Sequence, residues 1–197
     1  ARVGLEVNER LARASSEALP GEALFAAAAF PELLAGAPAP PFVARHLAAA
    51  VGPRSLRAGP AQIFDPASAA QVAEVQACLD HVGPVLDELG GAILAAEPRI
   101  VGIGSAYRQV LASLALARWL KERRPELLVV LGGPNLARPM AEATVELCDA
   151  VDLAVAGEAD EVFVELCVDY LDRGRRPSTR VVVCPPLDDL DRARTPD

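Results

Sequence analysis

Two apolar runs constrain this chain most: Arg99-Ile-Val-Gly-Ile-Gly-Ser-Ala-Tyr107 and Leu127-Leu-Val-Val-Leu-Gly-Gly-Pro-Asn135. Each ends in small residues, and a helical pattern from Arg108 to Arg123 separates them. Continuous apolar runs alternating with helices describe parallel strands covered on both faces. Strands are expected at 99–104, 127–132 and 151–156, with helices at about 108–122, 139–147 and 158–173. Arg180–Cys184 adds a short fourth strand. In the last helix Phe163, Leu166, Cys167, Tyr170 and Leu171 share a face, and Glu158, Asp160 and Glu161 crowd its positive N-terminal end. Gly174 follows as a C′ residue would. The pattern is that of an α/β fold with a doubly wound parallel sheet.

The first hundred residues carry no strand pattern. Leu5, Leu11 and Leu19 mark one helical segment, and Pro20-Gly21-Glu22 opens a second that runs through Leu34. Prolines at residues 36–41 make a loop, and Phe42–Val51 reads as a short helix. Asp65-Pro66 caps a long amphipathic pattern through Leu89, which Gly83-Pro84 and Gly90-Gly91 are expected to bend or divide. The resulting organisation is a helical portion at 1–96, an α/β portion at 97–175 and a linker at 176–197. The chain does not begin with Met, and Ala1 enters a helix already under way. It is therefore expected to be a fragment, with the first strands of its sheet upstream.

A net charge of −8 and the absence of a concentrated basic surface argue against nucleic acid as a partner. No apolar run approaches the length of a membrane span, and the charged N-terminus has no signal-peptide core. Cys78, Cys148, Cys167 and Cys184 show no paired spacing, and Cys148 and Cys167 fall on apolar helix faces. Reduced core thiols and a cytoplasmic protein are the expectation.

Gly102-Ile-Gly104-Ser-Ala-Tyr107 begins like a dinucleotide fingerprint. The third glycine is replaced by Tyr107, however, and no acid follows the next strand. A Walker pattern, a Gly-x-Ser-x-Gly elbow and a cysteine triplet for an iron–sulfur cluster are all missing from the sequence. His46 and His81 have no partner at ligand spacing. No catalytic residue or metal ligand is therefore assigned. What remains is an edge. Ligands in such sheets bind outside the carboxyl ends of the strands. Gly104, Ser105, Tyr107 and Gln109 follow one strand, Gly132, Gly133 and Asn135 the next, and Gly157 and Glu158 the third. Glycine there lets a bulky ligand approach the backbone.

These residues resemble a known family. Pro98-Arg-Ile-Val-Gly-Ile-Gly-Ser105, Leu111-Ala-Ser-Leu-Ala-Leu-Ala-Arg-Trp-Leu-Lys-Glu122, Val129-Val-Leu-Gly-Gly-Pro-Asn135 and Val155-Ala-Gly-Glu-Ala-Asp160 look like the cobalamin-binding domain of B12-dependent radical SAM enzymes. Ser105-x-Tyr107 and Gly132-Gly133 approximate the Ser-x-Leu and Gly-Gly elements of such domains. Gly21-Glu-Ala-Leu-Phe-Ala26 and Tyr107-Arg-Gln-Val-Leu-Ala-Ser-Leu114 are similar to stretches of the radical SAM proteins that mature ribosomally made peptides (RiPPs). Val110 departs from that narrower pattern, as do Leu136 to Pro139. Leu187-Asp-Asp-Leu-Asp191 looks like the linker that precedes a radical SAM barrel.

The resemblance implies a Rossmann-like, flavodoxin-like B12-binding fold. It implies that the nucleotide tail of cobalamin packs along the edge. Ser105 would bond the tail, Gly132 and Gly133 would admit it, and Gly157-Glu158 would close the far side. Gln109 and Asn135 are further polar contacts. The Asp-x-His-x-x-Gly motif that supplies cobalt with a lower ligand is not in this sequence. S-adenosylmethionine and a 4Fe-4S cluster would belong to a barrel outside this chain. The implied partners are that barrel, in the same polypeptide, and a precursor peptide that a methyltransferase or maturase would modify. Two other readings stay open: an α/β interaction domain that binds peptide or partner without cobalamin, and a nucleotide-binding half-domain.

Overall fold

The computed structural model describes residues 20–34, 73 and 76–185. The chain divides into two compact units, Ala1–Ala95 and Ala96–Asp197. In the first, α1 (Pro20–Ala29) is followed at once by α2 (Pro31–Leu34). One helix was expected here. It breaks at Phe30 because Pro31 lacks an N–H and its ring excludes helical backbone in the residue before it. α3 (Val82–Ala95) runs continuously through Gly90-Gly91, so that pair does not divide it. The break expected at Gly83-Pro84 lies slightly earlier, in the turn at Asp80-His81. Pro84 has no N–H to offer the Asp80 carbonyl, whereas at the start of α3 that missing donor costs nothing. The segments read at 5–19, 36–51 and 65–72, and the linker beyond residue 185, lie outside the described residues.

The second unit is a parallel α/β sheet. Its elements are β1 (Ile100–Gly104), α4 (Val110–Arg123), β2 (Leu128–Gly132), a 3-10 turn (Pro134–Leu136), α5 (Met140–Leu147), β3 (Leu153–Ala156), α6 (Asp160–Arg173) and β4 (Val181–Val183). All four strands are parallel, in the order β1-β2-β3-β4. Val101 pairs with Val129, Val130 with Leu153 and Val155 with Val182. The chemistry behind the continuous apolar runs is visible in the burial: every residue from Leu127 to Leu131 and from Leu153 to Ala156 is buried.

The pleat sends alternate residues to opposite faces. Leu128, Val130, Leu153 and Val155 form one core with Leu166, and Phe163 and Tyr170 of α6 pack onto it. The Gly102 backbone lies under the Phe163 ring, and the Arg99 guanidinium donates to the Leu171 carbonyl at 3.2 Å. α6 thus reaches back across the sheet to β1. Val129, Leu131 and Ala154 point to the other face and are fully buried there too. The strand order advances one way throughout, β1-β2-β3-β4.

At the amino ends of the strands Asp152 organises the chain. Its carboxylate accepts the Val129 N–H at 2.8 Å and pairs with Lys121 Nζ at 3.1 Å. Lys121 also donates to the carbonyls of Pro125 and Leu127. α6 ends as expected: Gly174 is left-handed (φ +64°), its N–H donates to Tyr170 and that of Arg175 to Asp169. The expected apolar face holds at Phe163, Leu166 and Tyr170, but Leu171 is exposed. The four cysteines are free thiols. Cys148 lies just past the end of α5 rather than on a helix face, and it is fully buried.

Candidate functional site

Three loops leave the carboxyl ends of β1, β2 and β3, and together with Gly104 and Gly132, the last residues of β1 and β2, they carry all the site residues singled out from the sequence. Ser105 is completely buried at the end of β1. Its N–H donates to the Gly132 carbonyl at 2.7 Å, and its carbonyl accepts the Asn135 N–H at 3.2 Å. The Asn135 side chain continues the link: Nδ2 lies 3.1 Å from Ser105 Oγ and donates to the Ala106 carbonyl. From the other side Gln109 Oε1 accepts the Ala106 N–H at 3.0 Å. Gln109 is the N-cap of α4, yet its carboxamide turns back to Ala106 instead of into the helix. Two side chains from different loops therefore hold one peptide segment.

The glycines of the edge fall into two kinds. Gly133 has φ +96°, and a Cβ there would stand 2.6 Å from the Ser105 carbonyl oxygen and 2.9 Å from its nitrogen. Gly157 has φ +105°, and its Cβ would meet the Cys184 carbonyl oxygen at 2.6 Å. In both, the approaching object is the chain's own backbone. Gly104 is different: it is exposed, and a Cβ would meet nothing within 4 Å. Gly132 has only ordinary contact with Val155.

The exposed surface of the edge is made by Gly104, Tyr107, Gln109, Gly133, Gly157 and Glu158, with Asn135 half-buried among them. Tyr107 is 62% exposed, and the Arg108 guanidinium lies 5.2 Å from its ring centroid. Arg108 adopts a left-handed conformation (φ +65°) that side chains bearing a Cβ seldom take. Sequence reasoning passed over Arg108, because nothing in a residue's type announces that geometry when glycine or asparagine would take it more readily. It also passed over Cys184, which meets Gly157 only because β4 pairs beside β3. Burial raises the thiols of Cys184 and Cys167 above their ordinary range.

The chemistry available here is binding and orientation. The side-chain partner of the Ser105 hydroxyl is a carboxamide, which cannot accept a proton, so the hydroxyl is not activated as a nucleophile. Among the described residues no group of three or more His, Cys, Asp or Glu side chains could hold a metal ion. No helix among them is long and apolar enough to cross a membrane.

Comparison with known proteins gives a partial match. The chain is 34% identical over 79 residues to a protein of Pyrococcus horikoshii described as an uncharacterized methyltransferase. The matched stretch covers 40% of this chain and 17% of that relative's length. The chain thus contains a segment similar to part of a methyltransferase-named protein. No family model matches the chain. No solved structure matches it either.

Proposed function

We propose that this chain carries a cobalamin-binding domain of a B12-dependent radical SAM enzyme, a methyltransferase or maturase acting on ribosomally made precursor peptides. The observation that carries the reading is the edge itself. Three consecutive parallel strands end in small residues at one edge of the sheet, with open space over Gly104 and the neutral side chains of Gln109 and Asn135 on the loops that follow. The methyltransferase name of the partial relative supports the same reaction class.

The residues fit the nucleotide tail of a corrinoid in a specific way. Gly104 leaves room for close approach, and Tyr107, Gln109, Asn135 and Glu158 offer surface and polar contacts around it. Ser105, Gly133 and Gly157 act one step behind, because their contacts shape the loops from within. Bound cobalamin would supply a methyl group, and this chain's residues would hold and orient it. S-adenosylmethionine, the cluster and the barrel that holds them are proposed to lie outside this chain.

The test is a hydroxocobalamin titration of the full chain, read as corrin absorbance retained through gel filtration. A Cβ at Gly104 meets nothing of the fold within 4 Å, so Gly104→Trp, which covers the surface of the edge, is expected to keep its melting temperature and lose the corrin. A chain that retains no corrin overturns the reading. A second reading, an α/β interaction domain without cobalamin, is favoured by the way the chain's own backbone fills the spaces at Gly133 and Gly157. Peptide binding by a corrin-free chain would support it.

A further inference from the structure

α6 carries two apolar stripes, and the sheet takes one of them. Phe163, Leu166 and Tyr170 pack onto the core, while Val164, Val168 and Leu171 stay 60%, 40% and 40% exposed. Spacings of four and three residues set these three side chains in one row along consecutive turns of the helix. The row accounts for Leu171, which belongs to it and not to the core face. A helix that serves a single core needs a single stripe. Glu165 and Asp172, both exposed, follow one border of the row. Neither has an ion-pair partner among the described residues. Asp172 also lies in the last turn of α6, where the helix dipole disfavours an acid. Arg173 pairs with Asp169 on another side of the helix, and the Arg99 guanidinium reaches the Leu171 carbonyl and the Tyr170 ring.

We propose that this row is a docking surface for an amphipathic helix of a partner protein, one whose aliphatic stripe is bordered by Lys or Arg. The spacing is that of a coiled-coil seam, with Val164 and Leu171 at d and Val168 at a. Glu165 and Asp172 then fall at e, a position that chooses partners by charge. A second copy of the chain is a poor match. Two α6 helices laid antiparallel would oppose acid with acid. Laid parallel, they would set Glu165 and Asp172 against Asp160 and Cys167, neither of which offers a cation. The same acids disfavour an anionic membrane surface. The inference is independent of the cobalamin reading, which uses none of these residues.

The probes are two labelled synthetic helical peptides that share one leucine seam, bordered in one by Lys and in the other by Glu. Each is titrated with the full chain at low salt, and fluorescence anisotropy reports binding. The Lys-bordered peptide is expected to bind about tenfold more tightly, the scale of two ion pairs gained. Glu165→Gln combined with Asp172→Asn removes both charges, keeps the shape of the border and should abolish that preference. Val168→Ser removes the centre of the row at an exposed position. It should weaken the Lys-bordered peptide about fivefold and leave the melting temperature unchanged. Equal binding of the two peptides, binding of neither, a preference that survives the double variant or an unaltered affinity in Val168→Ser overturns the proposal. So does a chain that sediments as a dimer until Val168→Ser makes it a monomer, because a second copy would then be the occupant.

Discussion

Gly133 shows how one absent side chain sets a whole loop. Its positive φ and the 2.6 Å separation that a Cβ would have from the Ser105 carbonyl oxygen forbid any other residue without movement. Gly133→Ala should therefore destabilise the fold by about 2–3 kcal/mol, the scale of backbone strain added to a steric clash. Urea denaturation gives the measure, and a loss below about 0.5 kcal/mol would mean that the Ser105 loop yields cheaply. Reading a close approach from Gly132-Gly133 was possible from sequence, because glycine at a strand end has few other uses. What approaches was not legible. A glycine records that space is needed, and only the fold says whether a ligand or the protein fills it. The same holds for Asn135, whose polarity is decided by Ala106, a residue with no chemical signature of its own.

Among the elements, α6 was the most legible. Its amphipathic spacing places Phe163, Leu166 and Tyr170 on the sheet, and Gly174 ends it with two cross-turn hydrogen bonds. Gly174→Ala forces a Cβ into the left-handed region and should cost about 1 kcal/mol. The variant should lower the melting temperature by a few degrees without altering the far-ultraviolet circular dichroism of the fold. Strands were legible for a related reason: burial on both faces writes itself as an uninterrupted apolar run. Their ends were less so. Val151 and Asp152 read as strand but lie before β3, where the Asp152 carboxylate is needed to receive the Val129 N–H. A long-range bond of that kind leaves no periodic trace. The break at Phe30, by contrast, was there to be read in Pro31, and the apolar continuity around it masked it.

At the scale of the molecule, the parallel sheet followed from the alternation of runs and helices, while the placement of α6 over β1 did not. Strand order and helix side depend on contacts between residues far apart, such as Arg99 with Leu171, that no local pattern encodes. Two desolvated thiols, one buried and one partly buried, give the unit a measurable pH response. Cys184 and Cys167 are raised above 9.0 by desolvation, so the folded chain holds their protons to higher pH than the unfolded chain does. The stability this contributes is intact below about pH 9 and is lost as the pH rises through the folded-state values. Urea midpoints should fall as the pH rises above about 9, and the fall should shrink in a Cys167→Ala, Cys184→Ala double variant. An unchanged slope in that variant would assign the alkaline loss to other groups.

The long return from α6 to β4 has a consequence for assembly. α6 settles over β1 and β2, but the strand that follows it pairs on the far side of β3, so residues 174–180 must carry the chain back across the sheet. β4 has three residues and few bonds, among them Cys184 N–H to Ala156 and Ala154 N–H to the Arg180 carbonyl. Such a segment gains its partners only after the sheet and α6 are in place, which makes it the last piece to dock and the first to detach. Because Gly157 lies against the Cys184 backbone, each brief departure of β4 would also loosen the loop after β3, giving the far end of the edge a natural source of breathing while the bonded loops around Ala106 stay fixed.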